Sequence, residues 1–257
     1  MKIVMLGAGN VATHLSKVLQ HKGFTIVQVY SRSAGTAKQL SDQLKVGFTC
    51  RYEDIYKGAD IYIYALKDSA LESMISNINQ PDAIHIHTAG SVSVNVFRNK
   101  AKKYGVIYPL QTFSKTKELN FREIPLFVEG NNLSTTRYLI NIANQLSDHC
   151  YILDSDQRKK VHLSAVFACN FTNLMYRIAN ELIEDTGLPF DILKPLITET
   201  AGKVMHLLPG QAQTGPAVRY DINIISEHIK MLQDRPELAK VYKDLSDLIY
   251  QGSTKKS

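Results

Sequence analysis

Through the first 153 residues, short apolar runs bounded by turn residues alternate with segments whose apolar positions repeat at helical spacing. The runs predict strands at 3–6, 25–30, 61–66, 84–88 and 105–108, and two later ones at 126–129 and 150–153. The segments between them, 10–21, 35–44, 69–77 and 134–146, are amphipathic or rich in small residues and predict helices. Alternation of this kind predicts a parallel sheet covered on both faces.

Beyond residue 154 the alternation stops. Residues 155–186 contain no proline or glycine, and apolar positions recur at Val161, Ala165, Ala168, Met175, Ile178 and Leu182, predicting one long helix. The stretch "TGLP" ends it with a glycine and opens the next helix with a proline. Further helices are predicted at 190–207, 221–232 and 236–250, followed by a frayed tail, "GSTKKS". The fold class that follows is α/β, a Rossmann-type doubly wound, mostly parallel sheet (residues 1–153) followed by an all-helical C-terminal domain (154–257).

Composition narrows the class without changing it. A hydrophobic fraction of 44% and a charged fraction of 21% are those of an ordinary soluble chain. No apolar run approaches the roughly 20 residues that span a bilayer. The opening run ends in Gly-Ala-Gly rather than at a cleavage site, so no signal peptide and no membrane partner are predicted. Cys50, Cys150 and Cys169 are widely separated and lack metal-ligand spacing, which fits reduced thiols in a cytoplasm and no metal site. The net charge of +6 is spread along the chain. Its short clusters, 100–103 and 158–160, lack interleaved aromatics and read as solvated surface, so no nucleic-acid partner is predicted.

The chemistry begins at "GAGNVA". Gly7, Gly9 and Ala12 fill the G-x-G-x-x-G/A pattern between a predicted strand and a predicted helix. Gly7 makes the tight turn, Gly9 lets the backbone approach a pyrophosphate, and Ala12 keeps helix and sheet close. Asn10 and Val11 complete the turn. The end of the second strand selects the dinucleotide. NAD-binding chains usually carry an acidic residue there for the ribose 2′-hydroxyl. Here it reads "YSRSAG", with no acidic residue before Asp42. Ser31, Arg32 and Ser33 offer two hydroxyls and a guanidinium for a 2′-phosphate, predicting NADP. The next strand ends, Leu66-Lys67-Asp68 and Ala89-Gly90, should line the rest of the cofactor. His85 and His87 are two potential ligands, too few for a zinc site; His85 reads as a core residue and His87 as near enough to the strand end to reach the pocket.

Taken together, "MKIVMLGAGNVATHL", "SRS", "ADIYIYALKD" and "HTAGS" resemble the six-phosphogluconate-dehydrogenase-like NADP oxidoreductases, which include pyrroline-5-carboxylate reductase and deazaflavin-dependent NADP reductases. "YPLQTFS", "IPLFVEG", "HLSAVFACNF" and "TGPAVRYD" are similar to bacterial Rossmann-like proteins with a helical C-terminal domain of unknown function. The resemblance covers nearly the whole chain. It implies NADP binding, a helical domain that forms a homodimer, and a reductase activity with no substrate assigned. Pyrroline-5-carboxylate reductases carry a Ser/Thr- and Gly-rich segment lining the proline site. Here that region reads "GQAQTGPAVRYD", so proline synthesis is not implied.

Hydride chemistry needs the protein to orient a carbonyl or imine and to supply a proton. His162 and Asn170 lie on the long helix, eight residues and about 12 Å apart along its axis on one face. They are the candidate general acid and the candidate hydrogen-bond donor. Gln111, Thr112 and Ser114 follow Pro109 out of a strand and are candidate substrate contacts, as are Thr214 and Arg219. The reading is an NADP-dependent oxidoreductase acting on a small, carboxylated carbonyl or imine substrate in a cleft between the two domains. The alternative is a non-catalytic NADP-binding sensor or assembly protein.

Overall fold

The structure, a computed structural model, describes residues 1–254. Eight strands form one sheet: β1 (Lys2–Leu6), β2 (Thr25–Tyr30), β3 (Gly47–Thr49), β4 (Ile61–Tyr64), β5 (Ile84–His87), β6 (Lys103–Pro109), β7 (Leu126–Gly130) and β8 (Cys150–Ile152). Helices α1 (Asn10–His21), α2 (Ala34–Leu44), α3 (Asp68–Asn77) and α4 (Leu133–Leu146) are interleaved with them. The spatial order is β3-β2-β1-β4-β5-β6-β7-β8. The first six strands in that row run parallel; β7 pairs antiparallel with β6, and β8 parallel with β7.

The period-two pattern of the strands divides the core. Ile3 and Met5 of β1 point to one face, where α1, α2 and α4 pack through Leu15, Leu19, Leu40, Leu44, Leu139 and Ile142. Val4 and Leu6 point to the other, where Leu71, Met74 and Ile75 of α3 meet Val94 and Phe97. Alternate side chains buried on opposite faces fix the register, because a one-residue slip would exchange the two faces. Chain order reverses between β1 and β4, and the crevice beyond the carboxyl ends of these strands is where such sheets bind ligands.

The chain then continues through α5 (Ser155–Ala165), a π-helical turn (Val166–Phe171) and α6 (Thr172–Glu184) as one helical run. Two compact units divide within it, Met1–Leu174 and Met175–Ser257. The first unit extends past the last strand because Arg158 of α5 is fully buried in it. The second unit holds the rest of α6, then α7 (Lys194–Lys203), α8 (Pro209–Ala212), α9 (Ile222–Met231) and α10 (Pro236–Thr254). Among its described residues only Ala217 and Ser246 are buried.

The elements depart from the sequence pattern in a few places. Strand β3 was not expected: it is three residues long with two of them exposed, it pairs only with β2, and its sequence carries no apolar run. The helix expected at 190–207 is a 3-10 turn at Phe190–Leu193 followed by the shorter α7. At the expected frayed tail, α10 continues through Thr254, and residues 255–257 lie outside the described residues.

Candidate functional site

Gly7 follows β1 with φ +126°, and a Cβ built on it would lie 2.1 Å from the Ala65 carbonyl oxygen. Only glycine fits a backbone turned in that direction and pressed that close to the next strand. Its N–H donates to the Tyr30 carbonyl at 2.8 Å, closing the turn against β2. Gly9 caps α1 in an extended conformation. No atom lies within 4 Å of where its Cβ would be, so the approach to the helix start is open. The first turn of α1 has no acidic residue and no side-chain cap, which leaves its N–H groups free to bind an anion. Asn10 is exposed, Val11 half-buried and Ala12 fully buried, the order expected as the chain turns from cradle to core.

Beyond β2, Ser31 Oγ contacts Thr36 Oγ1 at 3.1 Å and accepts the Ser33 N–H at 3.4 Å, holding the turn into α2. Arg32 and Ser33 are exposed, and Arg32 forms no ion pair among the described residues. At the next strand ends, Leu66 is half-buried, Lys67 caps α3, and Asp68 accepts a hydrogen bond from the Ser91 hydroxyl. Ala89 and Gly90 are buried. The cradle of open backbone, unpaired helix N–H groups and free guanidinium fits a dinucleotide carrying a 2′-phosphate.

Next to the Gly90 loop, still within the first unit, is a cleft of about 460 Å³. Its wall includes Tyr108, Gln111, Thr112, His162, Cys169 and Asn170. Tyr108 Oη and His162 Nδ1 are 3.0 Å apart. The π-helical turn bears on Asn170. Residues eight apart on an α-helix overshoot two turns by about 80°. The i→i+5 turn advances less per residue, which brings Asn170 closer to the line of His162. Ser114 does not line the cleft: its carbonyl accepts from His14 Nε2 at 2.8 Å and its hydroxyl contacts Thr116. Asn10 Nδ2 donates to the Phe113 carbonyl at 2.6 Å, so the loop after β6 is tied to the start of α1 at two points. Thr214 and Arg219 are exposed in the second unit, beside the turn that Asp221 caps into α9.

Two further residues depart from the sequence reading. Arg158, grouped with Lys159 and Lys160 as solvated surface, is fully buried. It pairs with Glu129 and donates to the Val92 carbonyl. Early in α5, only this member of the cluster faces the sheet, and the two lysines stay exposed. His87 does not reach the cleft; it is fully buried, and its Nδ1 accepts the Ala89 N–H at 3.1 Å. Burial first, then the Arg158 charge, pushes the His87 pKa down to about 3. Tyr108 is a functional candidate the sequence did not single out. It opens "YPLQTFS", and its place at a strand end just before a proline was the available signal.

A glycine turn at the switch point of a doubly wound sheet, with a cleft nearby, defines the class: Rossmann-type domains of the dinucleotide-binding kind. Comparison with known families gives the same class. Residues 2–90 match the family described as NADP oxidoreductase, coenzyme F420-dependent, and residues 124–249 match a domain of unknown function, DUF2520. A Bacteroides fragilis protein, provisionally described as an NADP oxidoreductase, has a crystal structure 47% identical over 97% of this chain and 98% of that one, with a TM-score of 0.92. The chain belongs to this family of NADP oxidoreductases with a DUF2520 domain.

More distant structures share the fold alone. A reductive aminase from Aspergillus terreus, in complex with NADPH and ethyl-5-oxohexanoate, is 14% identical over 99% of this chain and 94% of that one, with a TM-score of 0.72. A pyrroline-5-carboxylate reductase from Streptococcus pyogenes is 13% identical over 98% of each chain, with a TM-score of 0.63. No curated protein matches the chain.

Proposed function

We propose that the protein is an NADPH-dependent reductase of a small, carboxylated carbonyl or imine compound. The observation that carries this reading is the pairing of an open phosphate turn at Gly9 with a free guanidinium, in place of an acidic residue, after β2. Gly7, Gly9, Asn10, Val11 and Ala12 hold the pyrophosphate on the N–H groups of α1. Arg32, flanked by Ser31 and Ser33, grips the 2′-phosphate and selects NADP over NAD. Leu66, Lys67, Asp68, Ala89 and Gly90 line the ribose–nicotinamide half. When bound, NADPH supplies the hydride.

The protein orients the acceptor and handles the proton. Asn170 and Gln111 offer amide hydrogen bonds to a polar substrate, Thr112 a hydroxyl, and His162 an acid. In the second unit, Arg219 is exposed and forms no ion pair among the described residues, which supports a carboxylated substrate, with Thr214 nearby in sequence. The free thiols of Cys50, Cys150 and Cys169 support a reducing, cytoplasmic setting. Among the described residues no helix is long and apolar enough to cross a membrane, and no group of three or more His, Cys, Asp or Glu could hold a metal ion. The protein acts as a homodimer, a reading supported by the apolar side chains left uncovered in the second unit.

The test is NADPH oxidation by the purified protein across a panel of small keto acids, aldehydes and cyclic imines. Turnover with at least one compound, reduced about 10-fold or more in Asn170→Ala, is the expected result. Tight NADPH binding with no turnover across the panel would instead favour a sensor.

A further inference from the structure

His162 is clamped on two sides. The Tyr108 ring meets the imidazole edge-on, with centroids 5.9 Å apart and planes at 76°. On the other side a Cβ built on Gly90 would lie 2.7 Å from Nδ1 and 2.9 Å from the His162 Cβ, so the ring occupies space that only a glycine leaves. Tyr108 is itself stacked on Phe127, centroids 6.2 Å apart.

The hydrogen bond between the two has a preferred direction. A phenol has one hydroxyl hydrogen, and among the described residues His162 Nδ1 is the only hydrogen-bond partner of the Tyr108 hydroxyl. On a half-buried tyrosine an unmade O–H bond is costly, so the hydroxyl donates to Nδ1. A neutral imidazole that accepts at Nδ1 carries its proton on Nε2. That nitrogen is not among the buried unpaired atoms, and the residue that bears it lines the cleft.

We propose that Tyr108 is the positioning residue of a proton relay in which His162 Nε2 protonates the substrate. The relay rests on the reductase reading. As the carbon of a C=O or C=N bond takes a hydride from the reduced nicotinamide, its heteroatom takes the Nε2 proton. In turn Nδ1 takes the phenol proton. The imidazole ends neutral with its proton on Nδ1; water then protonates Nε2 as Nδ1 returns its proton to the phenolate, which resets the pair.

The surrounding charges suit this order. Burial, the largest cause, raises the Tyr108 pKa and keeps the phenol protonated beforehand, while the Arg158 guanidinium on α5 pulls the other way and favours the transient phenolate. Asp68 on α3 opposes it, and Glu129 on β7 is bound to Arg158.

The experiment is a ¹⁵N spectrum of histidine-labelled protein without cofactor at pH 7.5, with His162 assigned by its loss in His162→Gln. The expected result is an unprotonated Nδ1 and a protonated Nε2. In Tyr108→Phe, which keeps the ring stack, the tautomers should mix, and turnover should fall about 10-fold or more with KM little changed. A wild-type ring protonated on Nδ1, or an unchanged spectrum in Tyr108→Phe, overturns the relay. The wild-type spectrum decides the first point even if the variant does not fold. A wrong tautomer in a protein that still oxidises NADPH removes the relay alone. The expected tautomer in a protein that does not bind NADPH removes the reductase reading, and the relay's role with it.

Discussion

At the scale of single residues, the most consequential charges are enclosed ones. His87 is sealed within the sheet beside the buried Arg158 and stays neutral, its pKa about 3 against an ordinary 6.5. Below pH 6.5 the unfolded chain therefore binds a proton that the folded one refuses. Stability is complete above pH 6.5 and is lost progressively as pH falls towards 3. Roughly 2 to 3 kcal/mol should be lost between pH 7 and pH 4.5 from this residue. His85, whose pKa burial also lowers, adds to the same limb. Urea unfolding across that range should show the loss, and His87→Gln should flatten it. An equal slope in both proteins would mean that His87 is not the buried neutral base described here. None of this was legible in the chain, because Arg158 sits in a run of three basic residues whose only distinction is helical phase.

At the scale of elements, the period of the hydrophobic pattern carried most of the information. Helix α1 and strand β2 lie where the pattern predicted them because their apolar positions face a core on strict helical and strand periods. Edge strand β3 has no such period, and its pairing is decided by β2 rather than by its own residues. The π-helical turn is equally silent, since its apolar residues fit an α-helical reading just as well. In the second unit, apolar side chains of the helices and of the turns between them remain uncovered. Leu196, Met205, Leu208, Met231 and Leu248 are each more than 60% exposed. These side chains support the proposed homodimer. Light scattering should therefore give twice the chain mass of 28.9 kDa. A monomeric mass at micromolar concentration would remove the dimer.

At the scale of the molecule, the proposed cofactor cradle was the part of the candidate site most legible in the sequence. It is built from a contiguous turn whose glycines have local steric reasons: Gly7 faces Ala65, and Gly9 faces open space. The cleft was less so. Gln111, Thr112, His162 and Asn170 line it, but Ser114 is turned to α1, and Tyr108 was passed over. Those distinctions depend on how the loop after β6 folds back on Asn10 and His14, a contact across about 100 positions of sequence that no local pattern encodes.

The proposed choice of NADP over NAD turns on Arg32, and calorimetric titration of NADPH and NADH into the wild type and Arg32→Ala tests it directly. NADPH should bind the wild type tightly and NADH weakly, and the variant should bind NADPH no better than NADH. Equal affinity of the wild type for both, or no binding of either, would contradict the account at its centre.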